Sequence, residues 1–207
     1  MTAPTLMRQE ILEIPQAVEN LLSRGATAMH SATSALASRD PNFMISIARG
    51  SSDHAATYFK YASELLAGVP VASIGPSVTS IYGRRLKLRG SACFAVSQSG
   101  KSPDIVALTK MASDEGALTF AVTNNQDSDL AAVSAHTLNL HAGAERSVAA
   151  TKTFVTSVVT AIWMLAQWQD DSELLRSIYD LPEVLASAAQ MDWNALADQL
   201  TTQQSLY

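Results

Sequence analysis

The sequence predicts an α/β fold with a parallel sheet covered by helices on both faces. Short apolar runs alternate with helical patterns about four times, which is typical of strand–helix–strand units with right-handed crossovers. The runs are continuously apolar, as expected for strands that are buried on both sides of a sheet. With 207 residues, 47% of them hydrophobic and 16% charged, the chain has the size and composition of one globular domain with an appended helical part.

The elements are separated by turn signals. The first helical pattern ends at Asp40-Pro41, the second strand follows the turn at Gly68-Val69-Pro70, and Gly116 ends a central helix. The predicted strands are 43–48, 71–74, 91–97, 117–122 and 136–140. The predicted helices are 6–37, 55–66, 76–82, 104–115, 151–169, 172–189 and 192–204.

The most informative segment is 97–104, which follows the apolar strand 91–97 and leads into a helix. Ser102 is a suitable N-cap, Pro103 suits the first helical position, and Asp104 suits the first turn. Several hydroxyl groups and bare backbone N–H groups therefore meet at a helix N-terminus. This arrangement predicts an anion site, most often one for phosphate.

Two further polar loops are expected beside this one. Gly50-Ser51-Ser52 follows the first strand, and Thr123-Asn124 follows the fourth. Because ligands of parallel sheets bind beyond the carboxyl ends of the strands, all three loops should lie at one edge. The segment Glu145–Lys152 precedes the long helix, whose start should point to the same edge. A polyhydroxylated, phosphorylated ligand accounts for two hydroxyl-rich loops better than helix capping alone.

Other chemistries are disfavoured by residue type and spacing. A nucleotide P-loop ending at Gly100-Lys101-Ser102 would need glycine at Ala95, which lies within the strand. The consecutive Ser52, Asp53 and His54 would point in different directions at a helix start, so they do not form a hydrolase triad. No histidine has the spacing of a zinc ligand, and Cys93 is expected to be a buried apolar residue. We predict no metal and no cofactor.

Charge and cysteine content limit the partners and the compartment. A net charge of −5 and the lack of a sizeable basic cluster argue against nucleic acid. The longest apolar helical stretch, near Val155–Leu165, is too short for a membrane span, and no signal core is present at the N-terminus. One cysteine permits no internal disulfide, which favours the cytoplasm.

Taken together, these loops resemble the sugar isomerase (SIS) domain. The resemblance covers about residues 40–160 and depends on Arg49–Ser52, Ser97–Gly100 with Ser102, and Glu145 followed by 148–154. Additional segments are similar to isomerase-type glucosamine-6-phosphate deaminases, which are related to the isomerase half of glutamine:fructose-6-phosphate aminotransferase. They are Gly50–Ala55, Pro76–Val78 and Ser99–Asp104.

The resemblance implies a flavodoxin-like three-layer αβα sandwich with a five-stranded parallel sheet. It divides the chain into an N-terminal helical segment (1–39), a phosphosugar-binding SIS domain (40–170) and C-terminal helices (171–207) that lead toward a second SIS domain. The implied ligand is a hexose or hexosamine 6-phosphate, and the implied assembly is a homodimer. The implied substrate-binding residues are Gly50, Ser51, Ser52, Ser97, Gln98, Ser99, Gly100, Ser102, Val148, Ala149 and Ala150.

The resemblance also implies what this chain would lack. No glutaminase domain precedes the SIS region, and the family's acid–base glutamate, ring-opening histidine and C-terminal lysine belong to a second SIS domain, so we expect a first-half fragment or a single-domain relative. The catalytic base is unknown, and Glu145 is the one acidic candidate in a suggestive loop. The leading expectation is deamination of glucosamine 6-phosphate to fructose 6-phosphate and ammonia. The alternatives are the isomerase domain of the aminotransferase and a non-catalytic sugar-phosphate sensor.

Overall fold

The central sheet has five parallel strands, as predicted, in a computed structural model that describes residues 4–203. The strand order is β2-β1-β3-β4-β5. This order places β3, which leads into the 97–104 segment, at the centre, between β1 and β4. The strands are β1 (Met44–Ile47), β2 (Val71–Ser73), β3 (Ala92–Val96), β4 (Leu118–Thr123) and β5 (His136–Asn139).

Helices cover both faces of this sheet, so the three-layer α/β prediction is confirmed. They are α1 (Leu6–Leu12), α2 (Ile14–Arg24), α3 (Ala26–Arg39), α4 (Ser51–Leu66), α5 (Ser77–Ser80), α6 (Pro103–Asp114), α7 (Asp129–Ala132), α8 (Lys152–Trp168), α9 (Ser172–Tyr179), α10 (Leu181–Ala189) and α11 (Asn194–Thr201). No helix in the described range 4–203 is long and apolar enough to cross a bilayer.

The side chains of β3 point alternately to the two faces of the sheet, and each set contributes to a separate apolar core. Phe94 and Val96 point into the core formed with α2, α3, α4 and α8, and the Phe59 ring stacks on Phe94 with centroids 4.1 Å apart. Cys93 and Ala95 point into the opposite core, which α6 and α7 cover. Cys93 is fully buried, as predicted, and this burial raises the pKa of its thiol.

The helices differ from the prediction at four places. Helix α4 begins at Ser51 and not at Ala55, so two of the predicted binding serines belong to its first turn. The single helix predicted over 6–37 is divided into α1, α2 and α3, because Pro15 lies in the first turn of α2 and Gly25 lies between α2 and α3. The helix predicted over 172–189 is likewise divided, with Pro182 at the start of α10. The four-residue helix α7 was not predicted, since Leu130 is its only buried residue and so short a helix shows no periodicity.

Helices from all three predicted segments contribute to one core. Leu21 and Leu36 from the first segment and Ile178 from the third are buried in the same apolar cluster as the sheet residues of the second. The division of the chain into three segments, with boundaries at 39 and 170, remains a prediction. The ends of the first and third segments, residues 1–3 and 204–207, lie outside the described residues.

Candidate functional site

A polar cleft of about 290 Å³ lies at the carboxyl ends of β1 and β3. It combines the loop after β1, the loop after β3 and the start of α8, as the rule for parallel sheets predicts. Nine of the eleven predicted binding residues line it: Gly50, Ser51, Ser52, Ser97, Gln98, Ser99, Ser102, Val148 and Ala150. The other two, Gly100 and Ala149, do not. The lining also includes Arg49, Thr153, Phe154 and Ser157, which were not predicted as binding residues.

Some of the hydroxyl groups of this cleft are available to a ligand. Within residues 4–203, four of them form no hydrogen bond to another protein group: those of Ser51, Ser52, Ser97 and Ser102. In the same part of the chain, the backbone N–H groups of Gln98, Ser99 and Ser102 donate to no protein acceptor. Unused donors concentrated in one cleft are suited to the oxygens of an anionic ligand.

Three helices begin at the cleft. Helices α4 and α6 start at Ser51 and Pro103, and α8 starts at Lys152, next to the lining residue Thr153. Each N-terminus contributes partial positive charge from its unpaired N–H groups. The field at the cleft therefore favours a dianion such as a phosphate monoester.

We call the loop 97–102 the phosphate loop. Gly100 fixes its backbone on the side that faces away from the cleft. Its φ is +63°, its N–H donates to the Ser97 carbonyl at 3.1 Å, and its carbonyl accepts from the Leu130 N–H at 3.0 Å. A Cβ atom at this position would overlap the Ser128 side chain and lie 2.9 Å from Thr123 Oγ1. Gly100 therefore supports the phosphate loop without lining the cleft.

Arg49 and Asp104 form an ion pair at the mouth of the cleft, with 2.6 Å between Arg49 Nη1 and Asp104 Oδ2. Partial burial opposes ionisation of Asp104, but the hydrogen bonds from Arg49 and from the Ile105 N–H outweigh it. The pKa of Asp104 therefore lies below its usual value. The pair links the loop after β1 to the start of α6.

This ion pair gives a pH-dependent contribution to stability. Because the folded-state pKa of Asp104 is lowered, the contribution is complete above the unfolded-state pKa and is lost as the pH falls through the folded-state value. Asp104→Asn should lower the stability at pH 7 by about 1 kcal/mol or less, since Arg49 is largely exposed. Urea unfolding between pH 2 and 7 should show this difference vanishing in acid. A difference that persists at pH 2 would contradict the assignment, and Asp114→Asn, in the exposed pair with Lys110, is the control.

The 144–151 loop closes the cleft from the side of α8. Val148 at its tip is fully exposed, and Glu145 binds the start of α8. Glu145 Oε1 accepts from the N–H groups of Thr151 and Thr153 at 3.0 and 3.1 Å, and Oε2 accepts from the Thr153 hydroxyl. Both oxygens of the candidate base are thus engaged by the helix start, and Glu145 is not among the residues that line the cleft.

The same loop is bound from outside by the N-terminal helix. The Glu10 carboxylate accepts from the Arg146 N–H at 2.5 Å, from the Ser147 N–H at 3.2 Å, and from the Ser147 hydroxyl. These hydrogen bonds, the one from the Ser147 hydroxyl most of all, lower the pKa of Glu10. The sequence analysis missed this contact, because Glu10 and Ser147 are 137 residues apart.

A larger cleft, of about 690 Å³, lies on the other side of this loop, between α1, α2 and the ends of β4 and β5. None of the eleven predicted binding residues lines it. The smaller cleft is the stronger candidate, because the unused hydroxyl and N–H groups converge there. Within residues 4–203, no group of three or more His, Cys, Asp or Glu side chains could hold a metal ion.

Fold and cleft together define an α/β domain with a polar cleft, suited to an anion, at the carboxyl ends of its parallel strands. The family comparison gives this class a name. The chain belongs to the SIS domain family, whose model matches residues 36–167. The predicted membership is confirmed, and the matched range contains the whole sheet, both hydroxyl loops and the 144–151 loop.

Three relatives illustrate the similarity. A crystal structure of a candidate phosphosugar isomerase from Silicibacter pomeroyi DSS-3 is 53% identical, with a TM-score of 0.94, over 97% of this chain and 61% of that chain. The isomerizing glutamine–fructose-6-phosphate aminotransferase of Thermococcus kodakarensis is 30% identical over 198 residues, which are 95% of this chain and 30% of the relative. A glucosamine-6-phosphate deaminase from Thermotoga maritima shares the fold, with a TM-score of 0.69 at 15% identity, over 86% of this chain and 54% of that chain.

The chain spans about a third of the length of the curated relatives that it matches. The chemistry carried out by those longer proteins therefore enters only as a proposal for this one.

Proposed function

We propose that the cleft binds a hexose or hexosamine 6-phosphate. The observation that carries this proposal is the convergence of unused serine hydroxyls, unused N–H groups and three helix N-termini on one polar cleft. The phosphate loop would bind the phosphate, and Ser51 and Ser52 would donate to the sugar hydroxyls. Val148, Ala149 and Ala150 would close the site with their backbone. The names of the Silicibacter and Thermococcus relatives support the same ligand class.

The proposed reaction is of the aldose–ketose isomerase type, with glucosamine 6-phosphate as the leading substrate. After ring opening, a base removes the proton from C2 and a proton is returned to C1, which gives an imine at C2. Water hydrolyses that imine, so that fructose 6-phosphate and ammonia are released. A positioned acid–base group accelerates such a proton transfer by about 10²–10⁴-fold. We propose that this group lies outside the cleft residues described here, in a further domain or in a second copy of the chain.

Two alternatives remain part of the proposal. The Thermococcus relative favours the first alternative, the isomerase domain of an aminotransferase. In that case the reaction would proceed in the opposite direction, through the same sugar intermediates, and form glucosamine 6-phosphate. A sensor that binds the phosphosugar without turnover would use the same cleft. Ammonia release from glucosamine 6-phosphate, compared with glucosamine 6-phosphate formation from fructose 6-phosphate and free ammonia, separates the two enzymes. Binding without either reaction favours the sensor.

The proposed setting is a homodimer in the cytoplasm. Tyr58, Tyr61 and Leu65 form an exposed apolar row on α4, and such a row is better explained by a partner than by solvent. The single buried cysteine suits a reducing compartment.

Calorimetric titration with fructose 6-phosphate and glucosamine 6-phosphate tests the binding proposal. Ser99→Ala should weaken binding about 10- to 100-fold, because a hydrogen bond to a charged group contributes about 1.5–3 kcal/mol. Ser113→Ala, at an exposed position on α6, should leave the affinity unchanged. Fructose without phosphate should not bind measurably. A folded chain that binds neither phosphosugar would overturn the proposal, as would equal affinity for fructose.

A further inference from the structure

The residues proposed to close the sugar site belong to a loop without regular secondary structure of its own. Val148, Ala149 and Ala150 lie between β5 and α8, and Val148 has no covering contact. Their positions therefore depend on the hydrogen bonds that the neighbouring loop residues make. Some of these come from Glu145 within the loop, and the others come from the N-terminal helix.

Glu10 on α1 is the principal external contact of this loop. Its side chain is almost fully buried, and one carboxylate accepts two consecutive backbone N–H groups, those of Arg146 and Ser147, together with the Ser147 hydroxyl. A carboxylate that accepts several donors at once forms strong, charge-assisted hydrogen bonds and fixes the direction of the backbone. The next residues along the chain are the three that are proposed to close the site, of which Val148 and Ala150 line the cleft.

Helix α1 is itself fixed in place at two points. Arg8 Nη2 donates to the Ala189 carbonyl of α10 at 3.1 Å. Glu13, which directly follows α1, pairs with the buried Lys152 ammonium at 2.6 Å, and that ammonium also donates to the Ala144 carbonyl at 2.7 Å. Glu10 therefore binds the loop directly at Arg146 and Ser147, and Glu13 is connected to it through Lys152, which donates to the Ala144 carbonyl.

We propose that Glu10 is a positioning residue for the sugar-phosphate site, through which the N-terminal helix orders the 144–151 loop over the cleft. This inference rests on the proposed function. Glu10 is not a catalytic residue in this scheme, because its oxygens are occupied by the loop and it lies on the far side of that loop, against the larger cleft. Its effect on the ligand is transmitted through the backbone of 146–150.

Glu10→Gln is the decisive substitution. The glutamine has the same shape, but one of its two terminal groups is an N–H donor that faces another donor. Because glutamine is neutral, none of the hydrogen bonds that remain between this side chain and the loop is charge-assisted. We expect amide exchange at Arg146 and Ser147 to accelerate, and the dissociation constant for fructose 6-phosphate to rise by about 10- to 100-fold. Glu19→Gln, on the exposed face of α2, is the matched control and should change neither quantity.

A double-mutant cycle separates positioning from a general loss of stability. Ser147→Ala removes the hydroxyl part of the same contact and leaves α1 and the two backbone N–H donors intact, so its effect on affinity should not add fully to that of Glu10→Gln. Additive effects on affinity would overturn the inference. So would unchanged affinity in a folded Glu10→Gln protein, or unchanged exchange at 146–147. If Glu10→Gln does not fold, Ser147→Ala alone must weaken binding and accelerate exchange at these two amides, and the inference is wrong if it does not.

The same experiment distinguishes the two proposals. Wild-type protein that binds no phosphosugar refutes the proposed function, and the positioning inference is refuted with it. Wild-type protein that binds, with Glu10→Gln binding equally well, refutes the inference alone and leaves the proposed function intact.

Discussion

Replacing Gly100 by alanine is expected to abolish measurable phosphosugar binding and to lower stability by about 2–5 kcal/mol, the largest effect among the substitutions considered. A left-handed backbone costs a non-glycine residue about 1–2 kcal/mol, and overpacking adds about 1–3 kcal/mol. Both costs apply, because φ is +63° and the new methyl group would overlap Ser128. Relief of this overlap would displace the phosphate loop, which carries the N–H groups proposed to bind phosphate.

Gly68→Ala is a matched control for the backbone cost. Gly68 has a φ of +67°, but a Cβ there meets no atom within 4 Å, and it lies in the turn before β2. Gly68→Ala should lower the stability by only about 1–2 kcal/mol and leave the affinity for fructose 6-phosphate unchanged. Adding Ser128→Gly to Gly100→Ala removes the overlapping side chain and should restore part of the binding. Urea denaturation and calorimetry measure both effects. Normal affinity in Gly100→Ala would show that the phosphate loop does not bind the ligand.

The sheet and the cleft could be predicted from sequence because their signals are local. Each strand is a short apolar run, and each hydroxyl loop directly follows a strand, so the parallel-sheet rule alone brings Ser51 and Ser99 together. Ser102 and Pro103 mark the start of α6 by capping and proline preferences, and the structure begins the helix there.

The contacts that the sequence analysis missed are long-range. In the sequence, Glu10 looks like a solvated residue of a helix, and no periodicity relates it to Arg146 or Ser147. Lys152 was recognised through the family pattern, but its burial and its pair with Glu13 depend on how α1 packs.

Phe154 and Ser157 line the cleft because they lie three residues apart on one face of α8. That spacing was a usable signal once the helix was known to start at the site.

Replacing Glu145 by glutamine should distinguish a catalytic role from a structural one. The structure favours the structural role, because Glu145 caps α8 through the Thr151 N–H and through both the N–H and the hydroxyl of Thr153. Glutamine leaves one carbonyl oxygen for these donors and places an amide N–H against the others. We expect a loss of stability of about 1–3 kcal/mol, as for a helix cap with charge-assisted bonds. We also expect affinity for fructose 6-phosphate to fall about 10-fold, because the 144–151 loop is anchored by the same contacts.

A catalytic base would behave differently at this position. If Glu145 transfers the proton between C2 and C1, hydrogen–deuterium exchange at the substrate carbon should fall by about 10²-fold or more per molecule of bound substrate in Glu145→Gln. NMR follows this exchange in a protein assembly that turns over. The loss of the helix cap is the same in either case. Glu64→Gln, in the exposed pair with Lys60 on α4, is the control for loss of one carboxylate. The structural role predicts that Glu145→Gln is destabilised and binds more weakly, and that carbon exchange falls only in proportion to the bound substrate. That result would place Glu145 among the residues that shape the site. Carbon exchange that is lost far beyond the loss of bound substrate would reverse that assignment and make Glu145 the base.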